Sequence, residues 1–469
     1  MLDRAGAFDP RWFAEAAGGD LAKASDTVLE RIETDSRSAG PGALFVALKG
    51  ERSDGHDFVR AAASSGADAA LVSGDWYRER GRRELEGITL SVIVADDPLA
   101  ALQRAAKAWR SLFTGLLRFG VTGSSGKTTV KELLAAVLGV SRPIVKNPGN
   151  LNSDIGLPAS IFLIRPEHKA AVFELGINHL GEMDVLTEIY EPDCAIINTI
   201  GSAHIGLLGG TRESICAEKK KITSRFDGRQ RLLVREDDEF RDFLMRDVKG
   251  ECLCFGPRSL AGFRGAKNLG LDGWSMDYEG QEIHLSLPGA HNLMNALAAL
   301  GAASLYGATV DDARTGLESV RPLSGRSEIV RGPITIVNDC YNANAESVLA
   351  AITFCDDVYV SGRRVYVLGS MKELGEETEA AHRRVGRAAA SSKAEILLFY
   401  GDEMKVAINE VAACAPEMYA RHFNDYDSLA AATANLVRAG DLVLLKASRS
   451  MALERLTERL TSAGGPHAS

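Results

Sequence analysis

The sequence has no apolar run long enough to span a bilayer, which argues against membrane insertion. It has no CxxC pair and no cysteine ladder. Cys194, Cys216, Cys252, Cys254, Cys340, Cys355 and Cys414 form an odd, scattered set that suits a reducing cytoplasm rather than a disulfide framework. Cys252 and Cys254 fall on alternate positions of an expected strand and are read as packing residues. Positive charge is not in excess. Lys and Arg number 54 against 63 Asp and Glu, a net charge of −9, which disfavours wholesale nucleic-acid binding and leaves only local basic sites. No NKxD guanine-reading motif occurs, and no internal repeat. The opening MLDRAGAFDPRWF lacks an apolar h-region, so no signal peptide is expected.

What is present fits a soluble protein with a large core. The 469 residues are 45% hydrophobic and 25% charged, enough for about three domains. The most informative segment is FGVTGSSGKTTVKELLAAVL from Phe119 to Leu138. An apolar strand, Leu116 to Val121, runs into a Gly-Ser turn that opens on a helix. Gly123, Ser124, Ser125 and Gly126 let the backbone curl around phosphates. Lys127 can reach the outer phosphates, Thr128 can ligate magnesium, and Thr129 follows them into the helix. Val130, Leu133, Leu134, Val137 and Leu138 keep helical spacing. Val121 stands where the P-loop pattern asks for its first glycine, flanked by Gly120 and Gly123. The alternative is an ordinary glycine turn with a solvated Lys127.

Three α/β blocks follow from the periodicity. The first, 1–113, alternates strands (Leu44 to Leu48, Ala69 to Ser73, Ser91 to Ala95) with helices at Phe58 to Ser65 and Pro98 to Ser111. The second, 114–322, adds apolar runs at Ala170 to Glu174, Cys194 to Ile200 and Arg231 to Val234. A β-rich stretch (Trp274 to Leu287) and a helix from Asn292 to Leu305 complete it. The pattern predicts a largely parallel sheet covered on both faces. The third, 323–469, opens after Pro322-Leu323-Ser324-Gly325. Its runs at Ile334 to Val337, Val365 to Leu368, Ile396 to Tyr400 and Leu442 to Leu445 predict a doubly wound sheet. The tail after Thr461 is expected to fray.

In such sheets ligands bind beyond the carboxyl ends of the strands. Glu174 follows one apolar run and is a candidate magnesium ligand, or a helix cap. His204 follows another and could ligate a second metal or position a phosphate, or be a surface group. The segment Lys146 to Asp154 should converge on Lys127 with them. Ala217 to Ile222 reads from pattern alone as a solvated helix face. Asn292 and Asn295 share a helix face, where they could cap the helix or reach a base edge. The polar stretches Asn338 to Ala345 and Lys446 to Met451 read as site loops.

Together the segments TGSSGKTT, ELGINHLGEM, NTIGSAHIGLLGG, AEKKKI, PGAHNLMNALAA, SGRSEI, NDCYNANAES, VLGSMKELGEE and LLKASRS resemble the Mur ligases over nearly the whole chain. These are ATP-dependent enzymes of peptidoglycan synthesis. Within the family, NDCYNANAES and LGSMKELGEETEAAH resemble the member that adds D-alanyl-D-alanine. The acidic–Tyr–Ala–His loop and amino-acid motif of the sibling that adds the third residue are not found. The resemblance implies a small N-terminal α/β domain binding the uridine-diphosphate substrate, a central P-loop ATPase domain and a Rossmann-like third domain. It implies that Lys127 binds the outer phosphates, and that Thr128 and Glu174 hold the first magnesium. His204 serves the second, and Lys219 becomes carbamylated into a metal ligand. Asn292 contacts adenine, with Asn295 on the same helix face, and Arg326 and Asp339 reach the nucleotide from the third domain. Asp35, Ser36, Arg37, Gly55 and His56 take the uridine-diphosphate side, and Asn150, Asn152 and Ser153 the muramoyl peptide. Tyr341, Asn342, Asn344, Ser448 and Arg449 take the dipeptide. Departures are Ala345 for a usual proline, expected to loosen its loop, Ser370 for an aspartate, Ser153 for an asparagine and Asp154 for a glutamate. Lys220-Lys221 adds two positive charges beside Lys219.

The implied reaction consumes ATP to make an acyl phosphate from UDP-N-acetylmuramoyl-tripeptide. D-alanyl-D-alanine then attacks it to form an amide, in a cytoplasmic monomer whose third domain swings about Pro322–Gly325. The alternatives weighed are the sibling that adds a single amino acid, a P-loop switch, an inactive ligase and a folylpolyglutamate-type ligase. The last lacks a counterpart to residues 1–113.

Overall fold

The computed structural model describes residues 7–50 and 53–462, so the tail expected to fray lies largely outside the described residues. The first sheet holds β1 (Asp20–Lys23), β2 (Arg31–Glu33), β3 (Ala43–Val46), β4 (Ala69–Ser73) and β5 (Ser91–Ala95). Their order is β1-β5-β4-β3-β2, parallel except at β1. The helix Pro98–Ser111 leads out of it and packs Trp109 on Phe162 at 5.6 Å between ring centroids. Phe8, Trp12 and Phe13 complete this aromatic seam between the first and second blocks.

The second sheet is wholly parallel. It contains β6 (Leu117–Thr122), β7 (Ile144–Lys146), β8 (Ala170–Glu174), β9 (Cys194–Ile197), β10 (Arg231–Arg235) and β11 (Glu251–Phe255), in the order β11-β10-β9-β6-β8-β7. Strands β8 and β9 are buried throughout. Ala170, Val172, Cys194 and Ile196 face the helices Lys127–Gly139 and Ala290–Ser304, whereas Ala171, Phe173, Ala195 and Ile197 face the other side. Each Val or Leu so buried is worth about 1.5–3 kcal/mol. The helix Val310–Ser319 approaches the P-loop helix so closely that a Cβ on Gly316 would lie 2.5 Å from Val137 Cα. Beside the sheet stands an antiparallel ribbon of β12 (Phe263–Asn268), β13 (Trp274–Tyr278) and β14 (Gln281–Leu285).

The third sheet holds β15 (Glu328–Arg331), β16 (Thr335–Asn338), β17 (Arg364–Gly369), β18 (Ile396–Tyr400), β19 (Tyr419–Phe423) and β20 (Leu442–Lys446). Its order is β15-β16-β20-β17-β18-β19, parallel except for the β15 edge. The periodicity did not mark β1, β2, β7, β12, β15 or β19. These are short or edge strands whose outward residues are polar. The expected run to Ile200 ends as a strand at Ile197, level with the last paired residue of β6, Thr122, and Asn198 beyond it donates its side-chain amide to Ser125 O. All seven cysteines are free, and Cys252 and Cys254 lie on β11 beside Met245. Among the described residues no helix is long and apolar enough to cross a membrane.

Candidate active site at the P-loop

Strand order reverses beside β6: its chain successors β7 and β8 lie on one side, and β9 to β11 on the other. The loop after β6 therefore sits between the ends of β8 and β9, the position where α/β sheets take ligands. Gly123 and Gly126 both have positive φ, +147° and +76°. At Gly126 a Cβ would lie 2.2 Å from Asn198 Nδ2 and 2.4 Å from Asn295 Oδ1. The glycine is thus required both by its backbone and by two side chains pressed on the turn. Asn198 Nδ2 donates to Ser125 O at 3.0 Å and to Asn295 Oδ1 at 2.8 Å, and Asn295 Nδ2 donates to Asn292 Oδ1 at 3.1 Å. Asn292 in turn donates to Pro288 O. Asn295 thus braces the loop, and Asn292 on the same helix face backs it. Gly126→Ala is expected to weaken triphosphate binding at least about tenfold, because the left-handed turn and both contacts are lost. Titration with a fluorescent ATP analogue checks this, and unchanged affinity would contradict it.

Lys127 opens the helix, and its Nζ donates to Gly123 O at 3.0 Å. Thr128 Oγ1 donates to Glu174 Oε2 at 2.6 Å, and Asn152 Nδ2 donates to Glu174 Oε1 at 2.7 Å. The Glu174 backbone is held by Asn147, which accepts from its N–H and donates to its carbonyl. Asn147 O accepts from the wholly buried Lys131. Asn147 belongs to the Lys146–Asp154 segment expected at the site, whereas Lys131 is not among the expected residues. Lys131 falls four residues after Lys127 on the inward side of the helix, which was the available signal.

Lys219 is 1% exposed, so the solvated-face reading fails for it. Its neighbours do stand outside. Lys220 donates to Phe243 O and Arg246 O, while Lys221 pairs with Glu218 and Asp184. The two extra positive charges are thereby directed away from Lys219 and partnered elsewhere. Burial and then the nearby Lys127 charge push Lys219 well below the usual lysine range, partly offset by Glu174 and Glu218. Burial also lowers Lys127, against Glu174 and with Arg326. His204 is lowered by burial and then by Lys127, with Lys219 adding and Glu373 opposing. Lys127, Glu174, Lys219 and His204 therefore share one electrostatic cluster. No group of three or more His, Cys, Asp or Glu able to hold a metal occurs among the described residues. The adjacent Thr128 hydroxyl and Glu174 carboxylate suit a hard cation that completes its shell with phosphate and water, as magnesium does.

Across the cleft, Thr129, Asn292 and Arg326 line one cavity with Leu287 and Leu323. The Arg326 guanidinium stacks 3.7 Å from the Tyr341 ring centroid, and Arg449 approaches the same ring at 6.0 Å. Asp339 accepts from Ser327 N and from the buried Lys446 at 2.6 Å. Ser448 Oγ accepts from Lys372 N. Arg449 pairs with Glu454, Asn342 is exposed, and Asn344 is drawn inward as a helix cap. Ala345 does not open its loop: it is fully buried at the start of the helix Ala345–Asp357, under a capping box of Asn344 and Ser347. Ser370 Oγ donates to Tyr400 O.

The remaining expected residues divide. Asn150 is exposed near the loop, and Ser153 accepts from Ile155 N and Gly156 N. Asp35, Ser36 and Arg37 follow β2 at the surface, where Arg37 holds the Asp35 carboxyl down at about 2. His56 instead points inward. Its Nδ1 meets Asp54, its Nε2 accepts from Ser73 N, and its ring packs 5.2 Å from Trp76. A Cβ on Gly55 would lie 2.6 Å from Leu48 N, so Gly55 seats this loop against the sheet. In this structure the His56 ring nitrogens are both engaged and Gly55 lies against the strand backbone.

Comparison with known proteins agrees with this architecture. Residues 29–110 match the Mur ligase family, catalytic domain; 121–303 match the Mur ligase middle domain; and 325–449 match the Mur ligase, glutamate ligase domain. A UDP-N-acetylmuramoyl-tripeptide--D-alanyl-D-alanine ligase of Treponema pallidum is 40% identical over 91% of this chain and 93% of its own. The Bacillus subtilis protein of the same name is 34% identical over 95% and 97%. A crystal structure of MurF from Acinetobacter baumannii superposes with a TM-score of 0.86 at 28% identity, over 98% of this chain and all of that one. The Thermotoga maritima MurF ligase in complex with ADP gives 0.76 at 28% identity, over 92% and 97%. With three consecutive domains matched and relatives aligned almost end to end, the chain belongs to the Mur ligase family.

Proposed function

We propose that this chain joins D-alanyl-D-alanine to UDP-N-acetylmuramoyl-tripeptide at the expense of ATP, giving a pentapeptide precursor of peptidoglycan. The observation that carries the reading is the P-loop cluster of Lys127, Thr128, Glu174, His204 and Lys219, with Arg326 of the third block close enough to act on Lys127; Asp339 is read as reaching the nucleotide from the same block. A carboxylate is a poor electrophile, so the γ-phosphoryl group of ATP passes to the tripeptide carboxylate. The dipeptide amine attacks the resulting acyl phosphate, phosphate leaves and an amide forms. Lys127 offsets phosphate charge, and Asn292 with Arg326 borders the nucleotide. Magnesium, held by Thr128 and Glu174 with His204 and carbamylated Lys219 at a second ion, would neutralise charge developing on the transferred group. Asp35, Ser36 and Arg37 face the uridine diphosphate, Asn150, Asn152 and Ser153 the peptide, and Tyr341, Asn342, Ser448 and Arg449 the dipeptide.

The working units are residues 1–113, 114–322 and 323–469, with closure about Pro322–Gly325 excluding water from the acyl phosphate. The protein acts as a monomer in the cytoplasm, a setting its free cysteines suit. Phosphate release from ATP, measured with magnesium and with each substrate omitted in turn, is expected to need both the tripeptide and the dipeptide. Release without either, or none in any combination, would refute the reading.

A further inference from the structure

The loop Thr199–Gly206 is held from two sides. On the P-loop side, Ser124 N donates to Thr199 O at 2.6 Å, and Ser124 Oγ donates to Gly201 O at 3.1 Å. On the other side the loop is gripped by two carboxylates of the third block. Glu346 Oε2 accepts from Ser202 N at 3.1 Å and from Ser202 Oγ at 2.8 Å, while its Oε1 accepts from Arg384 Nη2 at 2.6 Å. Glu373 Oε2 meets His204 Nδ1 at 2.5 Å, and Glu373 O accepts from Gly206 N at 3.3 Å. Backbones touch beneath this pair: a Cβ on Gly206 would lie 2.5 Å from Gly375 N.

We propose that Glu373 is a positioning residue for His204, so that docking of the third domain sets the imidazole beside Lys127 and Lys219. The inference rests on the reading of His204 as a metal ligand given above. A carboxylate can only accept, so the proton of the neutral ring lies on Nδ1, and Nε2 is left with the lone pair. Outer partners of this kind fix the orientation and tautomer of ligating histidines. The backbone argues the same way. His204 and Glu373 both have left-handed φ, +57° and +64°, a conformation that costs a non-glycine residue about 1–2 kcal/mol. Two such residues facing each other across a domain boundary mark a contact kept for function rather than for stability. The Glu373 side chain is 53% exposed, so replacing it does not threaten the core.

The test compares full-length wild type, Glu373→Ala, Glu373→Gln and Gly206→Ala. Manganese binding in the presence of ADP is followed by electron paramagnetic resonance beside kcat and KM for phosphate release. Alanine is expected to weaken manganese binding by about 10- to 100-fold and to lower kcat, with little change in the KM for ATP. Glutamine, whose amide oxygen still accepts from Nδ1–H, is expected to recover most of the loss. Gly206→Ala, which wedges the two backbones apart, is expected to move with Glu373→Ala. Wild-type manganese affinity in Glu373→Ala, or a glutamine variant as impaired as alanine, would overturn the inference. Wild-type protein with no ADP-dependent manganese site would instead overturn the metal reading of His204, and the inference with it.

Discussion

Lys219→Arg is expected to lower dipeptide-dependent phosphate release by about 10²–10³-fold, the scale of losing one preorganised electrostatic group. Lys219 is nearly inaccessible, and burial together with Lys127 favours its neutral amine. A neutral amine adds carbon dioxide; an ammonium does not. The adduct gives up the amine's proton to water, so a neutral group becomes a negatively charged carbamate that Lys127 attracts, and oxygen donors appear beside Glu174. Arginine keeps its positive charge at all working pH values and cannot undergo this addition. Carbon-13 spectra in labelled bicarbonate are expected to show a carbamate resonance in the wild type that the variant lacks. Full activity in the arginine variant would rule the modification out as a requirement.

Glu174→Gln is expected to cost a similar factor in kcat while leaving the fold intact. Its backbone stays pinned by Asn147, and an amide can still take part in bonds to Thr128 and Asn152. What is lost is the negative charge facing Lys127 and Lys219, together with the hard oxygen pair suited to magnesium. Higher magnesium is expected to restore part of the rate. A melting temperature several degrees below wild type, with unchanged kcat per folded molecule, would instead make Glu174 a structural residue.

Much of this site was legible along the chain because it depends on local chemistry. A turn such as Gly123 to Gly126 announces itself by residues that tolerate positive φ, and Lys127 and Thr128 follow at fixed spacing. Strands β8, β9, β17 and β18 are built on continuous apolar runs because both faces are covered, so the ends of those runs, and the polar residues at or after them, stand out along the chain. Edge strands such as β15 and β19 carry no such signature, since their outward residues meet water.

Burial and partnership over long sequence distances belong to the tertiary structure. The run Glu218-Lys219-Lys220-Lys221 reads as a charged surface, yet Glu218 and Lys219 are buried while Lys220 and Lys221 remain outside. Which face of that helix turns inward is decided by the elements packed on it. His56 and His204 look alike as lone histidines in glycine-containing loops. One is consumed by Asp54 and Ser73, and the other is held by a glutamate 169 residues away. The phosphate-binding turn, the three α/β blocks and the residue types gathered at the strand ends are written along the chain, because they follow from backbone preference and periodicity. Residue pattern, without the family resemblance, does not tell that Lys219 loses its water, nor that Glu346 and Glu373 of the third block grip the loop of Ser202 and His204. Desolvation and pairing depend on what folding brings alongside.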